Sequence, residues 1–309
     1  MPTTIKSINN IDYNLAPIVL FVYNRLKHTI KTIEALQKNE LAHYSRLIIY
    51  ADAPKHVSDN HDVLSVRNYI KSIDGFKKVT IFERKENWGL ANSIIDGVTK
   101  IVNEYGKIIV LEDDLVTSPY FLKFMNDALK VYEENKRIWE VGGYVYPISY
   151  EPKRDFFFSP YTTSWGWATW KDRWKYFERD TEKLINIFNK KKIKKFNLDN
   201  SDNIWEQVIE NAEGRLYTWA VFWYATIFLN NGLIIYPKRS MVQNIGYDGS
   251  GMNCGKSDLF RVNLAEKPLN ILLVDVGFDE NSLAEVKKYL KKNRSISKRI
   301  LAKIRMWFT

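Results

Sequence analysis

Glu112, Asp113 and Asp114 stand side by side at the end of the apolar run Lys107-Ile108-Ile109-Val110-Leu111. Adjacent carboxylates repel one another, and that repulsion is offset when a hard divalent cation such as Mg2+ or Mn2+, which prefers oxygen ligands, takes at least one of them. The bland alternative is a solvated strand end that happens to be acidic. A continuous Val/Ile/Leu run is the pattern of a strand buried on both faces of a parallel sheet, and ligands collect beyond the carboxyl ends of such strands. A cation at Asp114, with Asp113 or Glu112 assisting, would bridge a diphosphate and stabilise a departing nucleoside diphosphate.

Three further residues end apolar runs. Asp52 could accept hydrogen bonds from a base or ribose, or it could cap a turn or helix. Arg25 and Arg84 could meet phosphates or remain solvated surface residues. The first four strands carry neither G-x-G-x-x-G nor G-x-x-x-x-G-K-[ST], so phosphate has to be neutralised by other means. Covalent catalysis finds little support. There is no G-x-S-x-G elbow, His28, His43, His56 and His61 fall in early helices and loops, and Cys254 has no obvious local base. Direct displacement, with an Asp or Glu as general base, suits the residue set better.

The elements that must position these groups alternate. Strands are expected over Ala16–Tyr23, Arg46–Asp52, Lys78–Arg84 and Lys107–Leu111, and helical spacing follows each. The third helix starts near Gly89 and stops at Gly106; the fourth is expected to be capped by Thr117 or Ser118 with Pro119 in its first position. Four strand-helix alternations predict a parallel sheet with right-handed crossovers. Beyond Tyr144 the regularity ends and the chain turns aromatic, through Trp165-Gly166-Trp167 and Trp170. A lysine run at 190–195, an aromatic helix from Trp219 to Leu229, a strand at Leu233–Tyr236 and a glycine-rich loop, Gly246-Tyr247-Asp248-Gly249-Ser250-Gly251, follow. Three segments are expected: a Rossmann-like half at 1–144, an acceptor-side half at 145–278 and a basic tail at 279–309.

At 309 residues with 45% hydrophobic content, the chain can bury a sizeable core. A single cysteine excludes an internal disulfide and a Cys-rich zinc site. Neither a signal peptide nor an apolar run long enough to span a bilayer is visible, which points to the cytoplasm. The net charge of +10 suggests an anionic partner, and nine Lys/Arg against the single acid Glu285 after Asn281 put most of it in the tail. Ile296, Ile300 and Ile304 fall four apart, with Trp307 and Phe308 beyond them, as in a helix lying on an anionic membrane face; an ordinary packed terminal helix is the other reading.

Taken in order, Asn24-Arg25 after the first strand, Tyr50-Ala51-Asp52, Arg84 through Asn87-Trp88-Gly89-Leu90-Ala91, Leu111-Glu112-Asp113-Asp114-Leu115, Ser164-Trp165-Gly166-Trp167-Ala168-Thr169-Trp170, the Trp219 segment and the glycine-rich loop resemble nucleotide-sugar-dependent glycosyltransferases of the GT-A fold. The likeness is to bacterial relatives of the N-acetylglucosaminyltransferase I group and covers residues 16–255. The resemblance implies an α/β GT-A fold and Mn2+ or Mg2+ held by Asp114 with Glu112, with Asp113 facing the ribose or metal waters. It implies a donor site of Asn24, Arg25, Asp52, Arg84, Asn87, Trp165, Gly166 and Trp167, although an aromatic inter-half core accounts equally for the tryptophans. Where relatives carry an Asp and a His, this chain reads Tyr217-Thr218-Trp219-Ala220 and Met252-Asn253-Cys254. The base is therefore left open among Asp248, Glu213, Glu210 and Glu206.

These readings converge on an inverting, metal-dependent glycosyltransferase. It would move a sugar from a nucleotide diphosphate donor, UDP-linked, to a surface glycan or lipid-linked glycan, with the tail on the inner membrane face. The alternatives are a sugar-1-phosphate nucleotidyltransferase, which would want a glycine-rich loop where Asn24-Arg25-Leu26 stands, and a basic non-catalytic module. Nucleic acid is not expected, because the acid-ended strands repel phosphate.

Overall fold

The computed structural model describes residues 14–249 and 257–305, with side chains as far as Asn293. Cys254, the tail aromatics Trp307 and Phe308, and the side chains of Ile296, Ile300 and Ile304 lie outside the described residues.

The first half follows the expected alternation. It runs β1 (Ile18–Val22), α1 (Leu26–Gln37), β2 (Arg46–Ala51), α2 (Asn60–Ile70), β3 (Lys78–Glu83), α3 (Gly89–Tyr105) and β4 (Lys107–Glu112). β1 pairs in parallel with both β2 and β4, and β2 with β3. Residues alternate across a strand, so β1 feeds two cores: Val19 and Phe21 join the α3 residues Ile94, Val98 and Ile101, while Ile18, Leu20 and Val22 join Ile33 and Leu36 of α1. That is why the central strands read as unbroken apolar runs, whereas β3, at the sheet edge, is only half-buried. α3 can lie close to the sheet because Gly97 has no side chain; a Cβ there would come within 2.8 Å of the Phe21 ring. Gly106 ends α3 in the left-handed conformation, φ 80°, its N–H donating to the Val102 carbonyl, as the sequence predicts.

After β4 the expectation departs from the structure. The chain first forms β5 (Leu115–Thr117), and only then α4 (Phe121–Val131). Pro119 is not in the helix, and neither Thr117 nor Ser118 caps it; α4 begins after Tyr120. The cause is distant in sequence: β5 is held by an antiparallel ladder with β10 (Val242–Asn244), which draws residues 115–117 out of the helix.

The second half continues as β6 (Ile138–Gly142), β7 (Phe156–Ser159), β8 (Trp167–Trp170), α5 (Lys171–Trp174), α6 (Thr181–Ile187), α7 (Lys190–Phe196), α8 (Trp205–Ala212), α9 (Ala220–Leu229), β9 (Leu233–Pro237), the β10 strand already named, and α10 (Glu280–Arg305). Its strands do not close a sheet of their own. One eight-stranded sheet runs in the order β3-β2-β1-β4-β8-β6-β9-β7, with β8 inserted antiparallel between β4 and β6. Four of its seven pairings are parallel, giving the expected α/β class with a mixed second half.

Candidate active site

The acid motif sits where β4 ends, at the centre of the sheet and facing the start of α1. Arg25, the residue before α1, places one guanidinium nitrogen, Nη2, 2.5 Å from Asp113 Oδ1 and 2.8 Å from Asp114 Oδ2. Thr32, two turns along α1, donates to the Asp113 carbonyl at 2.8 Å and fixes the helix to the motif. From the other side comes the glycine-rich loop. The N–H of Ile245 donates to the Asp114 carbonyl, and Gly246 lies so close that a Cβ on it would be 2.2 Å from Asp114 Oδ2 and 3.0 Å from Arg25 Nη1. Asp248, two residues on, has its Oδ2 3.1 Å from His28 Nε2, and His28 lies one turn after Arg25 on α1.

Burial shapes the charges here. Asp113 and Asp114 are 5% and 6% exposed. Burial and the charges of Asp114 and Asp113 push the Glu112 carboxyl up to about 8. Burial also raises Asp113, with Arg25 pulling against it. Burial works against the Arg25 charge, but Asp113 and Asp114 more than compensate and hold the guanidinium protonated.

A second group gathers at the head of α3. Asp52 Oδ1 accepts from the backbone N–H groups of Ala53 and Trp88, and its Oδ2 accepts from Gly89 N–H, each at 2.9 Å. This is the helix-capping role, and it leaves acceptor capacity on Oδ2 for a further partner. Asn87 donates to the Ala53 carbonyl at 2.7 Å. Arg84 pairs with Asp96 and lays its guanidinium over the Trp88 ring at 3.7 Å. Arg67 ties the strand ends together, donating to the carbonyls of Arg84 and Asp52 at 2.6 and 3.2 Å. Asn24 is half-buried in the turn from β1 into α1. Asn87, Trp88, Asn92 and Asp96 line the mouth of an open groove of about 840 Å³ along α3.

The tryptophan loop divides its roles. Trp167 is buried in a ring cluster with Trp174, Trp219 and Trp223, which is the core reading. Gly166, at φ 63°, would bring a Cβ to 2.6 Å from Val242 and packs the loop onto β10. Trp165 remains half-exposed and packs edge-on against Tyr247 of the glycine-rich loop at 5.6 Å.

The four base candidates separate in the same way. Asp248 lies on the loop that covers Asp114. Glu206 is hydrogen-bonded to Asn203 at 3.2 Å, while Glu210 and Glu213 both pair with Arg215. That last segment reaches α3 instead, through Tyr217 Oη on Asn92 at 2.8 Å. Sequence reasoning missed His28 and Arg67. The only signal for His28 was its spacing of three from Arg25.

No protein-family model matches the chain, and neither does any curated protein. Solved structures resembling it include the mannosyltransferase PcManGT from Pyrobaculum calidifontis in complex with GDP-Man and Mn2+, at 11% identity and TM-score 0.38, covering 71% of this chain and 76% of that one. S. aureus TarS matches at 11% identity and TM-score 0.42 over 81% of this chain and 41% of its own. UDP-glucose pyrophosphorylase complexed with UDP-glucose matches at 12% identity and TM-score 0.33, over 72% and 90%. What the site does follows from its own residues.

Those residues fit a cation shared with a substrate. Among the described residues no three His, Cys, Asp or Glu side chains converge into a protein-only cage. Asp114 Oδ1, however, is buried without a hydrogen-bond partner, which is costly unless something else binds it. Mg2+ and Mn2+ sites on phosphate-bearing substrates use one or two carboxylates, with phosphate and water completing the shell.

Proposed function

We propose that this chain is an inverting GT-A-type glycosyltransferase that uses a UDP-linked sugar and Mn2+ or Mg2+ to glycosylate a hydroxyl of a surface glycan or lipid-linked glycan. The observation that carries the reading is the unpartnered, buried Asp114 oxygen beside the Arg25 guanidinium at the end of the central strand. Asp114 would hold the cation, with Glu112 and Asp113 around it, and the bound cation would supply Lewis-acid stabilisation of the leaving diphosphate. Arg25 would pair with that diphosphate, because a planar guanidinium suits phosphate as well as carboxylate. The spare acceptor site of Asp52, with Asn87 and Trp88, would receive the base and ribose. Trp165 and Tyr247 would offer aromatic faces to the sugar.

Asp248 is our candidate base. Its carboxylate would take the proton of the acceptor hydroxyl while that oxygen bonds to the anomeric carbon and the bond to the donor phosphate oxygen breaks, inverting the centre. His28 would orient the carboxylate. A nucleotidyltransferase is disfavoured because Arg25, and not a glycine-rich phosphate loop, follows β1. The C-terminal helix would contact an anionic membrane surface.

Thermal denaturation with a panel of nucleotide sugars tests the reading. Stabilisation by a UDP-sugar should require Mn2+ and vanish in Asp114→Asn. Asp248→Asn should keep donor binding and lose about 100-fold or more in kcat. The proposal fails if no nucleotide sugar stabilises the protein with Mn2+ present. The base assignment fails if Glu210→Gln, Glu213→Gln or Glu206→Gln shows that loss and Asp248→Asn does not.

A further inference from the structure

The lysine run at 190–195 has no part in the site, yet the fold gives it a defined place. It forms α7, capped at its start by the Asn189 side chain accepting from Lys192 N–H at 2.9 Å. Only Ile193 and Phe196 turn toward the body, and Phe196 is fully buried, stacked on Tyr224 with ring centres 4.4 Å apart. Lys190, Lys191, Lys192, Lys194 and Lys195 are all exposed, and none has a carboxylate partner among the described residues.

The chain leaves α7 through three successive non-glycine residues with left-handed backbones: Leu198, Asp199 and Asn200, at φ 50°, 55° and 63°. Such a run is unfavourable for L-residues, and for leucine above all, so the surrounding packing must impose it. Its effect is to set the Asp199 carboxylate 2.6 Å from Lys287 Nζ of α10. α10 is docked at this end by Leu283, Val286 and Leu290, which leaves Lys288, Lys291 and Lys292 exposed on the helix that Asp199 ties to the end of α7. Ile185 and Ile187, at the end of α6, are 42% and 37% exposed, and Lys192 Nζ reaches the Ile187 carbonyl at 3.1 Å.

We propose that α7 and the adjoining face of α10 form one docking surface for an anionic lipid bilayer. Lysines would meet the headgroups, with Ile187, whose carbonyl Lys192 reaches, at the acyl boundary. This deepens the proposed function by adding a second, rigidly packed contact that fixes the orientation of the protein on the membrane. The chemistry favours a bilayer over nucleic acid. α7 is lysine without arginine, point charges without the planar fork used for phosphate and base edges, and its exposed neighbours are aliphatic where base stacking needs aromatic rings.

Co-sedimentation of the full chain with vesicles of equimolar phosphatidylcholine and phosphatidylglycerol, against pure phosphatidylcholine, tests the surface without needing a nucleotide sugar. The triple variant Lys191→Gln, Lys194→Gln, Lys195→Gln changes only exposed side chains. It should keep the parent's melting temperature and donor hydrolysis while binding the anionic vesicles about 30-fold or more weakly. The matched variant Lys77→Gln, Lys78→Gln, Lys85→Gln removes the same charge at the β3 edge of the sheet and should bind like the parent. Equal losses in the two variants would reduce the effect to net charge and overturn the proposal, as would parent-like binding by the α7 variant. A duplex oligonucleotide that binds more tightly than the vesicles and is lost with the α7 lysines would make this a nucleic-acid surface instead. Vesicle binding that behaves as expected in a protein that no nucleotide sugar stabilises would uphold the surface and sink the catalytic reading alone.

Discussion

Glu140 is fully buried in the aromatic core behind the tryptophan loop, with Thr162 Oγ1 donating to its Oε1 and Trp223 Nε1 to its Oε2 at 2.7 Å. Burial outweighs both hydrogen bonds and pushes its carboxyl from 4.5 up to about 7. A carboxyl whose folded pKa lies above its unfolded value binds more protons when folded. Its contribution to stability is therefore greatest below the unfolded value and declines as pH rises through about 7. Glu140→Gln removes that decline. Its amide oxygen can still accept from Trp223, and its NH2 can face the Thr162 hydroxyl. Relative to the parent, Glu140→Gln should gain about 1–3 kcal/mol between roughly pH 5 and pH 8, read from urea unfolding at both ends. Glu112 shifts in the same direction but is present in both proteins and cancels from the difference. Parallel pH dependence of the two proteins would show that Glu140 is not the titrating group.

At the scale of elements, the cleft is set by how tightly the 245–249 loop lies on the acid motif, and Gly246 decides that distance. A methyl there would have to sit 2.2 Å from Asp114 Oδ2, so Gly246→Ala lifts the loop and moves Asp248 away from His28. Donor-dependent thermal stabilisation should weaken about 10-fold or more while the melting temperature without donor changes little, since the loop contributes few buried apolar groups. Gly249→Ala is the companion: it strains a φ of 91° at the far end of the same loop. If both variants bind donor like the parent, the loop does not form the site wall. The acid motif and the strands that carry it were legible because β1, β2 and β4 are buried on both faces and their ends are chemically distinct. The β5–β10 ladder was not, because three-residue strands gain their identity from a partner more than a hundred positions away. β8 escaped for a related reason: Trp167-Ala168-Thr169-Trp170 reads as aromatic loop until β4 and β6 supply its two neighbours. His28 and Asp248 were each visible, but only the fold makes them a pair.

For the whole molecule, the question is where the folded body ends and the basic extension begins. Charge and periodicity set a boundary at residue 279, but the structure carries the body further. Leu283, Val286 and Leu290 fall on one stripe of α10 and are buried, and Tyr289 rests on Tyr146 at 5.6 Å and donates to the Leu259 carbonyl. These contacts close the aromatic wall of Tyr146, Tyr144, Trp165 and Phe260 that backs the cleft. No described helix is long and apolar enough to cross a membrane. Two truncations therefore separate two functions within one helix. Ending the chain after Asn293 should leave the melting temperature and donor binding as in the parent and weaken binding to anionic vesicles. Ending it after Asp279 removes these three buried apolar side chains, worth about 1.5–3 kcal/mol each, a large share of the 5–15 kcal/mol that typically holds a domain folded. That protein should melt at least about 10 °C lower or fail to fold. Equal stability of the two truncated chains would mean that the first turns of α10 are as dispensable as the last.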